Sequence, residues 1–125
     1  MSNVDTAKAD YEAFGSGDMD SLKASFADDA VWVSSDELPA GGEISGPDAI
    51  IAGFGQIPEN WSSFSVQPEE FIDAGDWVIV RGTQSAGNDK GSFTAPYVHL
   101  LKFDDAGKVV RGEFYGDSAK AMKLL

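Results

Sequence analysis

A change of period near the midpoint constrains this chain more than any other feature. Three turn signals interrupt the second half, at Asp73-Ala74-Gly75-Asp76, Gly87-Asn88-Asp89-Lys90-Gly91 and Asp104-Asp105-Ala106-Gly107. Glycine takes positive φ freely, and Asp and Asn bond their own backbone, so such clusters reverse a chain. The segments between them are rich in Val, Ile, Phe, Trp, Tyr and Thr. They predict strands near 63–72, 76–86, 92–103 and 108–116, joined as an antiparallel meander.

The first half has helical spacing instead. Val4, Ala7, Tyr11 and Phe14 form one apolar stripe. Ser2 can cap that helix, Asp5 suits its first turn, and Gly15 and Gly17 end it. Asp18 opens a second helix in which Met19, Leu22 and Phe26 share a face, and Asp28-Asp29 is expected to stop it. Ala30 to Ser34 is β-branched and aromatic and reads as a short strand. Residues 35–46 read as an acidic loop bearing Gly and Pro. A third helix opens at Gly46-Pro47, with proline at its first position and Ile50, Ile51 and Phe54 on its buried side. Asp117 can cap a last helical turn. The expected fold is a single α+β domain over residues 1–125. Three N-terminal helices pack on a curved, mainly antiparallel sheet, giving a cone-shaped α+β barrel with a cavity between the layers.

Charge and composition exclude several functions. Nine Lys and Arg against 21 Asp and Glu give a formal charge of -12, which repels nucleic acid and anionic membranes. Without cysteine there is no thiolate metal site, disulfide or thiol nucleophile. A lone histidine argues against a transition-metal site, and no calcium-loop or phosphate-loop spacing occurs, so no metal and no cofactor are expected. The opening MSNVDTAKAD has no basic start followed by an apolar core. The chain is expected to be soluble and cytoplasmic.

Four segments carry a resemblance across nearly the whole chain. They are Gly17-Asp18-Met19-Asp20 continuing to Phe26-Ala27-Asp28-Asp29-Ala30-Val31-Trp32, then Gly46-Pro47-Asp48-Ala49-Ile50, Phe103 to Val110, and Glu113-Phe114-Tyr115-Gly116-Asp117. In this order they resemble the nuclear transport factor 2-like superfamily, in its SnoaL-like and ketosteroid isomerase-like branch. The resemblance implies a cone fold whose members include isomerases, cyclases, epoxide hydrolases and proteins with no known activity. The isomerases' general-base position, at the end of the first strand, falls on Ser34. Their oxyanion-binding aspartic acid position falls on His99, and Tyr11 lies one residue from their tyrosine position. The limonene epoxide hydrolase-like Arg-x-Asp becomes Arg81-Gly82-Thr83, keeping only the arginine, while Glu113 resembles the last-strand acid. Polyketide cyclases set such an acid near a histidine.

Alternation puts Arg81 and Thr83 on one face of their strand, Tyr97, His99 and Leu101 on one face of the next, and Arg111, Glu113 and Tyr115 on one face of the last. If paired residues in the last hairpin sum to an even number, His99 faces Glu113, and a one-residue slip separates them. A facing pair could share a proton and abstract one from carbon or activate water, with Arg81 or Tyr97 donating to an oxyanion. Phe14, Trp32, Phe54 and Trp61 are expected as apolar walls, with Tyr11, Ser34, Tyr115 and Asp117 completing a substrate site. Plainer roles stand beside these: a structural His99, an Arg81–Glu113 ion pair that only holds the fold, a solvated Glu113, and Asp117 as a helix cap. The expected function is binding of a small apolar cyclic or carbonyl-bearing metabolite. Any chemistry would be cofactor-free proton transfer leading to isomerisation, cyclisation or hydrolysis. The alternative is a non-catalytic binding or dimerisation module. The resemblance further implies a homodimer through the sheet's outer face, a role that apolar Val98, Leu100 and Phe114 could serve.

Overall fold

In the computed structural model, which describes residues 2–125, five helices and six strands follow the chain in order. They are α1 (Asn3–Ser16), α2 (Met19–Ala24), β1 (Phe26–Ser34), β2 (Gly42–Ser45), α3 (Pro47–Gly55), α4 (Ile57–Asn60), β3 (Ser63–Ala74), β4 (Trp77–Asn88), β5 (Gly91–Phe103), β6 (Val109–Tyr115) and α5 (Ser118–Met122). The helix ends obey local chemistry. Ser2 and Asp5 form a reciprocal capping box, and Gly17 closes α1 in the left-handed region at φ 75°. Asp18 caps α2 through the Ser21 amide, and Pro47 opens α3.

One six-stranded sheet runs in the order β2-β1-β6-β5-β4-β3. β3, β4, β5 and β6 form the expected meander, and only the β1–β6 pairing is parallel. The first half departs from expectation in three places. β1 starts at Phe26, so Asp28 and Asp29 do not stop a helix; they lie exposed within the strand, where its register against β6 shifts between Phe26 and Val31. Part of the expected loop is β2, held against β1 by pairs such as Trp32 with Ile44. α4 adds one more short turn. Elements of four residues are too short to show a period.

The last hairpin decides the interior. Next to the turn, Phe103 pairs with Val109, an even sum, but Lys102 pairs with Arg111. Val110 is therefore one extra residue, a β-bulge, and beyond it every β6 side chain changes face. His99 sits opposite Phe114, and Glu113 sits opposite Leu100. The expected His99–Glu113 pair does not form. Phe114 likewise turns inward against His99, leaving Val98 and Leu100 without it on the outer face.

Helices α1 to α3 cover the concave face, and the core gathers Ala7, Leu22, Ile50, Val78, Val80, Leu101, Phe103 and Val109. Two glycines let aromatic rings lie flat on the sheet. A Cβ on Gly82 would approach the Tyr97 hydroxyl to 2.7 Å, and one on Gly112 would come within 2.4 Å of the Trp32 indole. That indole is held edge-on by Phe26, Phe54 and His99. Gly112→Ala should therefore cost about 1–3 kcal/mol, as overpacking does. Urea unfolding would show it as a lowered midpoint at unchanged slope; a wild-type midpoint would contradict this packing.

Candidate functional site

A cavity of about 420 Å³ opens between the helical layer and the concave face of the sheet. Its wall is mostly apolar and aromatic, and among the described residues no lysine or arginine lines it. Phe14 packs edge-on to Phe54, and Phe54 edge-on to Trp32, making a continuous wall from α1 through α3 to β1. Of the residues expected in the site, Tyr11, Phe14, Trp32, Ser34, Phe54, Trp61, His99, Tyr115 and Asp117 line it. Asp117 also caps α5 through the Lys120 amide at 3.0 Å. Tyr97 is buried just behind the wall, stacked on Phe114.

Arg81 and Glu113 go elsewhere. Arg81 lies exposed on the convex face and pairs with Glu70 at 2.9 Å. Its strand is inward at Val80, Gly82 and Gln84, so an arginine between them must point out. Glu113 faces outward too. It accepts from the Tyr115 hydroxyl and from Arg111 Nε at 2.8 Å, and these two bonds hold its carboxyl below the usual range. Neither the catalytic placement expected for these residues nor their mutual ion pair occurs.

What faces inward is a line of three polar side chains. The Tyr97 hydroxyl donates to the Tyr11 hydroxyl at 3.0 Å, and the Tyr11 oxygen lies 3.0 Å from His99 Nδ1. A phenol has one proton. With Tyr97 donating to Tyr11, the Tyr11 proton is free to go to Nδ1, the arrangement that leaves the imidazole proton on Nε2. Burial makes this neutral form the stable one: it pushes the His99 pKa from 6.5 down to about 3. Burial also raises both tyrosines above the ordinary phenol value, so they keep their protons. Among the described residues, His99 Nε2 is the one buried side-chain polar atom with no hydrogen-bond partner. A buried donor left unpaired costs about 1–3 kcal/mol. His99 is thus a neutral imidazole in an aromatic surround, with Nε2 left unpartnered.

Sequence reasoning passed over a second polar group. Asp10 lines the cavity from α1 and accepts from the Ser25 hydroxyl at 2.8 Å. Burial raises its pKa from 3.8 to about 6, opposed by the Ser25 bond. The signal was present: Asp10 stands three residues after Ala7 and four before Phe14, inside the stripe that faces the core. Gln84 is a similar case, a buried amide in the inward register of β4 that also lines the cavity.

A helical layer closing a strongly curved six-stranded sheet over an apolar pocket is the architecture of the nuclear transport factor 2-like proteins. The SnoaL-like domain model matches residues 7–112, and the chain belongs to that family. Solved structures agree. A nuclear transport factor 2-like protein of unknown function from Burkholderia pseudomallei is 32% identical, with a TM-score of 0.90 over 99% of this chain and 98% of that one. TerC, co-crystallised with polyporic acid, is 27% identical, with a TM-score of 0.88 over 98% and 96% of the two chains. A putative SnoaL-like polyketide cyclase from Jannaschia shares the fold at 18% identity and a TM-score of 0.84, over 98% and 90%. No curated protein matches. No helix among the described residues is long and apolar enough to cross a membrane.

The two perturbed groups have opposite effects on stability. Between about pH 4 and 6 the native state keeps a proton on Asp10 that the unfolded chain has lost, so this contribution falls as pH rises. His99 stays neutral in the native state while the unfolded chain protonates, so its contribution is lost as pH falls from 6.5 towards 3. Asp10→Asn should therefore be more stable than wild type at neutral pH by about 1–2 kcal/mol, after allowing for Asp10's partial solvent access. The gain should vanish near the ordinary carboxyl value of 3.8. Denaturant melts across this range measure it; a pH-independent difference would mean that Asp10 is not held against its ionisation.

Proposed function

We propose that this SnoaL-like protein binds a small, apolar, cyclic, carbonyl-bearing metabolite in its cavity and catalyses cofactor-free proton transfer at the carbon beside the carbonyl. The observation that carries the reading is the buried, unpartnered Nε2 of His99, a residue of the apolar cavity wall. A ligand oxygen seated there would receive the hydrogen bond the protein leaves unmade, and burial in low dielectric strengthens that bond as negative charge grows on the oxygen. The two tyrosines hold the ring in the donating tautomer. The aromatic wall suits a ring, and a cavity with no cation on its wall favours a neutral oxygen over a carboxylate. The likeness to TerC, which was co-crystallised with polyporic acid, supports ligand binding by this fold.

Two probes of matched shape test it: β-tetralone, which has a carbonyl, and tetralin, which lacks one. Titration followed by tryptophan fluorescence should show the ketone binding about tenfold more tightly, the worth of one hydrogen bond to a buried donor. His99→Phe should erase that preference while tetralin still binds. Equal affinities in the wild type, or a preference that survives in His99→Phe, would overturn the reading.

A further inference from the structure

Asp10 is the one cavity carboxyl that the fold leaves without a backbone duty. The other on the wall, Asp117, is bonded to the first turn of α5. Asp10 has a single hydrogen-bond partner, Ser25 Oγ, and no cation within ion-pair distance among the described residues. The neutral residues Leu22 and Phe26 share its stretch of wall from the α2–β1 junction, with Val109 from β6 and Tyr11 from its own helix. Of the described cations at that junction, Lys108 is exposed and holds the Ala24 carbonyl oxygen at 2.7 Å, and Lys23 is paired with Asp48. Asp10 is thus a carboxylate presented to the same enclosed space as the His99 donor, with little else to bind.

We propose that Asp10 is the proton acceptor of this cavity, a catalytic base carried by α1. Ser34 stands at the end of β1, where the related isomerases place theirs, and a hydroxyl cannot do that work unaided. The assignment rests on the proposed function above. In the step, a C–H bond next to the ligand carbonyl breaks and the proton goes to an Asp10 carboxylate oxygen. The C–H electron pair forms a carbon–carbon double bond, and the carbonyl π pair moves to the oxygen that His99 Nε2–H bonds. One negative charge passes from carboxylate to enolate. Return of that proton to the same carbon restores the ketone, and return to a conjugated carbon gives isomerisation. Return of a solvent deuteron, after Asp10 has exchanged its proton with the medium, gives isotope exchange. No oxidant, reductant or further reactant enters. A carboxyl that titrates near 6 is ionised at neutral pH and still basic enough to take such a proton.

Hydrogen–deuterium exchange at the acidic carbon of β-tetralone, followed by proton NMR in deuterium oxide, reads the step without knowledge of the natural substrate, and fluorescence titration measures binding in parallel. Wild type should accelerate exchange over buffer, rising to a plateau through a midpoint near pH 6. Asp10→Asn should lower the bound-state rate by about a hundredfold or more, with affinity changed less than threefold. Ser25→Ala removes the bond that holds the carboxyl down, so the midpoint should move to higher pH with binding unchanged, which a merely structural Asp10 would not produce. If Asp10→Asn fails to fold, that profile decides. Exchange that survives in Asp10→Asn, a midpoint indifferent to Ser25, or bound ketone that never exchanges would each overturn the base and leave the binding site standing. A ketone that does not bind would overturn both.

Discussion

The bulge at Val110 sets the chemistry of the interior. A strand's side chains alternate, so one inserted residue exchanges the two faces of everything beyond it. Between Phe103–Val109 and Lys102–Arg111 the pairing shifts by that single residue. The shift brings Gly112 under the Trp32 indole and Phe114 against His99, and sends Arg111 and Glu113 to the outer face, bonded to each other. The apolar cavity, the unshared imidazole proton and the absence of an acid beside it all follow from this register.

Inside that frame, burial determines protonation. The same desolvation that drives the imidazole to its neutral form drives the Asp10 carboxyl towards its protonated form. Each group loses water without gaining an opposite charge. The result is a neutral imidazole and a carboxyl of raised pKa lining one cavity, an arrangement that stabilises little and is typical of functional sites. On the convex face Arg81 pairs with Glu70 and Arg111 with Glu113.

Much of the fold was legible in the sequence. The turn clusters mark the meander, the stripe from Val4 to Phe14 marks α1, and the caps Ser2, Asp18 and Asp117 sit where their residue types suggest. These are local signals, produced by a few neighbouring residues and read without knowledge of the rest. β2 and α4 were illegible because four residues show no period, and β1 was read short because two aspartates in a strand look like a turn. The aromatic wall was legible because large apolar side chains on inward positions have only the interior to fill. Asp10 was legible in principle, as the one charged member of an apolar stripe.

The sequence by itself determined the family, the order of the elements, the apolar wall and the inward position of His99, because each depends on composition and on the period of one segment. Only the tertiary structure decided which polar groups share the cavity. That depends on pairing between strands, where a single bulged residue moves Glu113 out, and on how far burial strips water from Asp10 and His99. Both are properties of the assembled layers, and no single segment encodes them.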